Sequence, residues 1–270
     1  MSKSNGKIAI VFGAGMPGAI HGNGSAIATR LALDGATVIA VDMEPSAAER
    51  TCAHIVQLGG QCVPYQADVR DADQIRAAVD FAIQKFRQID FLVNNVGIVS
   101  IGGAEELAIE EWDNVFAVNV RSAFLTCKFV LPHMVARQSG VIVNVSSLAS
   151  MRWSGTPYCA YSASKAALNA FSRSVAMQYA AAGIRSNSIV LGLINTQLVR
   201  DQLARTDELG VEHLMATRNS VCPTGAMGTP EDAAAATAFL VSDGANYING
   251  TEIVIDGGLQ NQCFTPTKRP

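Results

Sequence analysis

Tyr161 and Lys165 stand four residues apart in a stretch with helical periodicity, so on a helix they share one face. An ammonium beside a phenol favours the phenolate and draws its pKa down from about 10. Such a pair can exchange a proton with an alcohol or carbonyl oxygen near neutral pH. A second chemistry is written near the start of the chain, where Gly13, Gly15, Gly18, Gly22 and Gly24 crowd one short segment. Glycines let the backbone approach a pyrophosphate closely, and a following helix offers it free N–H groups and a positive dipole end. Two registers compete. Gly13-x-Gly15-x-x-Gly18 matches the dinucleotide fingerprint literally. A helix opening at Gly18 would, however, carry Gly22-Asn23-Gly24 in its first turns, at roughly 1 kcal/mol per glycine. A helix starting near Gly24-Ser25, with residues 14–22 as a phosphate-covering loop, fits better. His21 in that loop reads either as an exposed loop residue or as a phosphate contact.

Asp42 ends the second apolar run, about 20 residues beyond the glycines, where a carboxylate accepts the adenosine ribose hydroxyls and repels a 2′-phosphate. Its neighbours Met43 and Glu44 carry no positive charge. NAD is therefore expected rather than NADP.

These residues need a scaffold, and the chain alternates short apolar runs with longer helical stretches. The runs are 8–12, 37–41, 89–93, 141–145, 186–190 and 252–255, with a weaker one at 61–65. Near-continuous apolar strands belong to a sheet buried on both faces, the habit of parallel sheets. Helical periodicity occupies 25–34, 46–58, 72–86 and 161–181. The alternation predicts an α/β fold: a doubly wound, Rossmann-type parallel sheet of about seven strands with helices on both faces. No linker, repeat or low-complexity segment divides it, so residues 1–270 form one domain. In such sheets ligands sit beyond the carboxyl ends of the strands.

Composition narrows the classes. The 270 residues are 49% hydrophobic and 16% charged, against roughly 25% charged for an ordinary soluble domain. That excludes a disordered chain and leaves surface to bury in a homo-oligomer. The net charge of −3 gives no general attraction for nucleic acid. No apolar run approaches the ~18 residues of a membrane span, and the first apolar run is too short for a signal-peptide core. A cytoplasmic protein without a membrane partner is expected. Cys52, Cys62, Cys127, Cys159, Cys222 and Cys263 show no C-x-x-C spacing and read as reduced thiols. The four histidines are dispersed, so no metal site is expected.

The order glycine loop, Asp68-Val69, Asn94-Asn95-Val96-Gly97, Asn119, Ser147, Tyr161-x-x-x-Lys165 and Asp256-Gly257-Gly258 resembles the short-chain dehydrogenase/reductase family over essentially the whole chain. The resemblance implies roles residue by residue. Tyr161 would be the general acid/base, with Lys165 lowering its pKa and holding the nicotinamide ribose. Ser147 would hydrogen-bond the substrate oxygen, with neighbouring Ser146 as the alternative, and Asn119 would support a water-linked proton path. Gly13, Gly22 and Gly24 would face the pyrophosphate, and Asp42 the adenosine ribose. Asp68 and Val69 would flank the adenine, Asn95 and Gly97 would line the cofactor cleft, and Ile194 and Thr196 would meet the nicotinamide amide. The loop carries an insertion relative to the family's usual pattern, and Leu191-Gly192 replaces its Pro-Gly.

Residues 151–158, with Trp153 and Tyr158, and a lid at about 195–222 would form the substrate pocket. Leu198, Leu203, Leu209, Leu214 and Met215 would serve an apolar substrate or simply pack the lid. Arg152 could pair with an acidic substrate or stay solvated. The expected reaction is NAD-dependent interconversion of a secondary alcohol and a ketone, small molecules both. The alternatives are enoyl reduction, with Tyr158 at the longer spacing from Lys165, and a non-catalytic dinucleotide-binding protein. The resemblance also implies a homotetramer, with a homodimer as the alternative.

Overall fold

The computed structural model describes residues 4–16, 18, 21–197, 199–200 and 211–263. Seven parallel strands lie in the order β3-β2-β1-β4-β5-β6-β7. They are β1 (Ile8–Phe12), β2 (Thr37–Asp42), β3 (Gln61–Gln66), β4 (Phe91–Asn94), β5 (Gly140–Ser147), β6 (Ile184–Leu191) and β7 (Glu252–Ile255). The helices are α1 (Asn23–Leu33), α2 (Pro45–Gln57), α3 (Ala72–Phe86), α4 (Ile109–Phe116), α5 (Ser122–Arg137), α6 (Cys159–Tyr179), α7 (Val211–Val221) and α8 (Pro230–Val241). The doubly wound sheet expected from the alternating runs is the sheet observed.

Alternation along each strand divides the core. Ala9 and Val11 of β1 join Val38 and Ala40 of β2 in one cluster with Ile27 and Leu31 of α1 and Ala233 and Leu240 of α8. Ile8, Ile10 and Phe12 turn the other way, with Ile39 and Val41, onto Ile75 and Val79 of α3 and Val130 and Met134 of α5. Both sheet faces are dry, so apolar transfer favours the sandwich from two sides.

α4 and α5 run on through a π-helical turn, Ala117–Arg121. By length and composition the rod Ile109–Arg137 would suffice to cross a membrane. Its apolar positions Val118, Leu125, Val130, Leu131 and Met134 are instead buried in the second cluster.

One expectation is overturned. Cys52 and Cys62 are joined by a disulfide, with their Cα atoms 5.0 Å apart, rather than standing as free thiols. The reason is the α2–β3 connection, which folds β3 back along the helix and brings the two residues side by side. No C-x-x-C spacing announces such a pair. Cys127, Cys159, Cys222 and Cys263 are not in disulfides.

The first turn of the sheet depends on two glycines. Gly13 has φ +76°, and a Cβ there would lie 2.8 Å from Cγ2 of Val96. A Cβ on Gly24 would overlap the carbonyl oxygen of Gly13, so α1 seats on the β1 turn only with hydrogen at that position. α1 opens at Asn23 after Gly22, close to the helix start favoured over the Gly18 register. Gly24→Ala should lower the unfolding free energy by about 2–4 kcal/mol. Gly22→Ala, whose Cβ meets nothing nearer than 4.0 Å, should cost less than about 1 kcal/mol. Urea unfolding of the two variants checks this, and equal losses would contradict the packing argument.

Candidate functional site

Ser147 is the last residue of β5, and α6 begins after the excursion that follows it. This connection sets Tyr161 and Lys165 beside the strand's carboxyl end. Lys165 is 3% exposed and its Nζ donates to the Val145 carbonyl at 2.9 Å. A Cβ on Gly97 would come within 2.9 Å of that Nζ, so only glycine leaves room for the ammonium. The Tyr161 ring centre lies 5.8 Å from the same Nζ.

The two serines of β5 separate cleanly. Ser146 faces inward, its Oγ donating to the Lys165 carbonyl at 3.4 Å. Ser147 faces the site, where its hydroxyl bears on the Tyr161 phenol and accepts the Ala149 N–H at 3.2 Å.

Electrostatics correct one expectation. Lys165 was expected to draw the Tyr161 phenol down, but burial dominates and pushes it up, with the Ser147 hydrogen bond pulling the other way. Burial also pushes the Lys165 ammonium down to about 8. Both shifts have one cause. A site with little water disfavours each isolated charge, so the neutral forms gain on both residues.

Asn119 sits in the π turn, a widening common at functional sites. Its Nδ2 donates to the Ile98 carbonyl at 2.9 Å and to Ser164 Oγ at 3.0 Å, while its Oδ1 accepts the Ile98 N–H at 2.8 Å. It therefore ties the segment after β4 to α6, directly behind Tyr161 and Lys165. Asn95 donates to the Gly13 carbonyl at 2.7 Å, bracing the glycine turn from β4.

The Asp42 carboxylate caps the loop from β2. Its Oδ2 accepts the Gly15 N–H at 2.8 Å and its Oδ1 the Glu44 N–H at 3.1 Å. Asp68 forms a forked pair with Arg70, which holds its carboxyl below the usual range. Val69, Ile194 and Thr196 are buried. Gly22 precedes α1, where Ser25 Oγ accepts its N–H at 3.0 Å. His21 is half-buried rather than exposed, because its ring packs edge-on against His54 at 4.8 Å.

On the substrate side Tyr158 stands edge-to-face with Tyr161, ring centres 5.8 Å apart. Trp153 is 69% exposed and makes less of a pocket wall than expected. Arg152 donates to the carbonyls of Leu259 and Gln262, so the chain itself occupies it. Met215 packs with Cys222 and Met227 against Leu193 and Val211. Of the other lid positions, Leu214 lies on α7, whereas Leu198, Leu203 and Leu209 fall outside the described residues.

Sequence reasoning missed the clamp on the loop from α2. Thr51 Oγ1 donates to the Ala14 carbonyl at 2.7 Å, and Arg50 Nε to the Met16 carbonyl at 2.8 Å. It also missed the buried ladder in which Thr126 donates to Asn94 at 2.7 Å and Asn94 to Asn144 at 2.9 Å. The signal for the ladder was present, since polar residues inside otherwise apolar strands demand partners. Thr51 carries no such signal.

The chain matches the family described as "Enoyl-(Acyl carrier protein) reductase" over residues 18–260. It is 38% identical to 2-(R)-hydroxypropyl-CoM dehydrogenase of Xanthobacter autotrophicus, covering 93% of this chain and 97% of that one. It is 33% identical to cyclohexanol dehydrogenase of an Acinetobacter species, covering 97% and 98%. Among solved structures, a short-chain dehydrogenase/reductase from Burkholderia xenovorans superposes with a TM-score of 0.94 at 39% identity, covering 98% of this chain and 100% of that one. NAD+-bound xylitol dehydrogenase superposes with a TM-score of 0.85 at 28% identity, covering 95% and 100%. With the sheet order, the glycine turn and the β5–α6 cluster all in place, the chain belongs to the short-chain dehydrogenase/reductase family.

Proposed function

We propose that the protein is an NAD-dependent oxidoreductase that interconverts a secondary alcohol and a ketone. The observation that carries this reading is the meeting of Ser147, Tyr161 and Lys165 at the carboxyl end of β5. The named relatives that act on alcohols support it. A nicotinamide dinucleotide, when bound, supplies the hydride acceptor and donor.

The chain's own groups fit that cofactor. Gly13 and Gly24 let α1 seat closely on the β1 turn, and Gly22 leaves open space just before α1, where a pyrophosphate is favoured. Asp42 would take the ribose hydroxyls and repel a 2′-phosphate, and Asp68 and Val69 would flank the adenine. Asn95 and Gly97 would line the cleft, with Ile194 and Thr196 at the nicotinamide end. Ser147 Oγ would hold the substrate oxygen. In oxidation Tyr161 Oη takes the carbinol proton as the C–O bond becomes a carbonyl; in reduction it returns that proton. Lys165 supplies the positive charge that makes a Tyr161 phenolate tolerable in a buried site. The two groups therefore ionise more readily together than either does alone. Asn119 would extend the proton path. The same reading takes the working form to be a homotetramer, supported by the exposed Ile109, Phe124, Met177, Phe239 and Tyr247 side chains.

A second reading, enoyl reduction, has support in the description of the matching family and in the spacing of Tyr158 from Lys165. The test follows absorbance at 340 nm with NAD⁺ or NADP⁺ and a panel of secondary alcohols, and with NADH and a 2-enoyl thioester. NADH should form from one class of alcohol, and less readily NADPH. Tyr161→Phe should lower turnover by about 10²-fold or more, while Tyr158→Phe should stay within about tenfold. The reverse order of losses, with turnover of the enoyl thioester only, would replace this reading by the second.

The buried ammonium also has a stability signature. Lys165→Met should raise the unfolding free energy at pH 7 by about 1–3 kcal/mol while abolishing turnover. Wild-type Lys165 sheds its proton near pH 8 when folded and near 10.5 when unfolded. Between those values the unfolded state holds the extra proton, so the wild type gains stability as pH rises. The variant's advantage should therefore be constant below about pH 8 and fade towards 10.5. A variant no more stable at pH 7, or a gap that ignores pH, would contradict the burial argument.

A further inference from the structure

Helix α6 is tied to Val145, Ser146 and Ser147 of β5 in succession. Lys165 Nζ donates to the Val145 carbonyl at 2.9 Å, and Ser146 Oγ donates to the Lys165 carbonyl at 3.4 Å. The last tie is a relay of two side chains. Asn169 Nδ2 donates to Ser150 Oγ at 3.0 Å, and Ser150 Oγ donates to the Ser147 carbonyl at 2.7 Å. Asn169 stands one turn beyond Lys165 on the same face of the helix and is 4% exposed. Its Oδ1 is buried and finds no hydrogen-bond partner among the described residues. A half-satisfied amide is unfavourable in such a place, so what its other half holds has to account for it.

What it holds is the turn that carries Ser147. Ser147 is extended, with φ −141° and ψ 150°, and the 3-10 turn Leu148–Ser150 starts directly after it. Both Ser147 oxygens help to close that turn. Oγ accepts the Ala149 N–H at 3.2 Å, and the carbonyl accepts the Ser150 hydroxyl. A hydroxyl oxygen that takes a backbone N–H keeps its own proton to give. The turn thus presents Ser147 as a donor, the polarity that a carbonyl or alkoxide oxygen requires.

The geometry points to Asn169, acting through Ser150, as a positioning residue that fixes the Ser147 turn, so that the Ser147 hydroxyl donates to the oxygen of the alcohol or ketone turned over at Tyr161. This rests on the oxidoreductase reading above. Helix α6 then sets both the charge beside Tyr161 and the aim of Ser147.

Asn169→Leu and Ser150→Ala cut the relay at its two ends, and Ser150→Thr keeps the hydroxyl. Hydrogen exchange, followed by mass spectrometry on the peptide spanning residues 147–151, reads the turn without turnover. Exchange there should quicken about fivefold in both cut variants, the equivalent of one lost hydrogen bond. The single-turnover rate with the alcohol that the wild type oxidises best should fall about tenfold in both, while their affinity for NADH stays at the wild-type value. Ser150→Thr should remain within about threefold of wild type in each readout. The double variant should lose no more than either single one, because both cut the same relay. Unchanged exchange, quickened exchange with an undiminished single-turnover rate, or an equal loss in NADH affinity would overturn the proposal. Failure of the underlying reading looks different: the wild type then forms NADH from no alcohol, while exchange in the cut variants still decides whether the relay holds Ser147.

Discussion

A lysine ammonium seated under a helix, with one backbone carbonyl for a partner, is the constraint from which the rest of the site follows. For Lys165 Nζ to reach the Val145 carbonyl, α6 must lie close along β5. That closeness turns Ser146 inward and leaves Ser147 facing Tyr161. It also demands glycine at position 97, where any Cβ would crowd the ammonium. The segment carrying Gly97 is then pinned by Asn119 from the π turn. Four segments far apart in sequence, at 97, 119, 145–147 and 161–165, become one arrangement because a charge has to be accommodated where water is scarce. Such a charge destabilises the fold, and its persistence is the usual compromise of a functional site.

The second half of the site is a matter of clearance rather than charge. α1 can meet β1 only through Gly24 and Gly13, and Asn95, Asp42 and Thr51 hold the resulting turn from three sides. The start of the path that a dinucleotide would cross, residues 13–15, is thus braced by the chain's own side chains. The family description names an enoyl reductase, whereas several relatives act on alcohols.

Much of this was legible in the chain. The strands at 8–12 and 252–255 and the helix at 72–86 match their apolar periodicity residue for residue, the first because a parallel strand buried on both faces leaves little freedom in composition. The cost of glycine inside a helix told the longer loop from the Gly18 register. What stayed hidden was tertiary. Cys52 and Cys62 meet only because β3 returns along α2. The direction of the Tyr161 shift needed the burial of the phenol, which spacing cannot show.

The central claim is hydride transfer from a carbinol carbon with Tyr161 taking the proton. The most direct measurement uses cyclohexanol deuterated at its carbinol carbon, NAD⁺ and the enzyme, with the reduced cofactor analysed by mass spectrometry; if the panel favours another alcohol, that one is labelled instead. The account predicts one deuterium in every reduced cofactor from the wild type and almost none formed by Tyr161→Phe. Reduced cofactor without deuterium, or undiminished labelling by the variant, would contradict it.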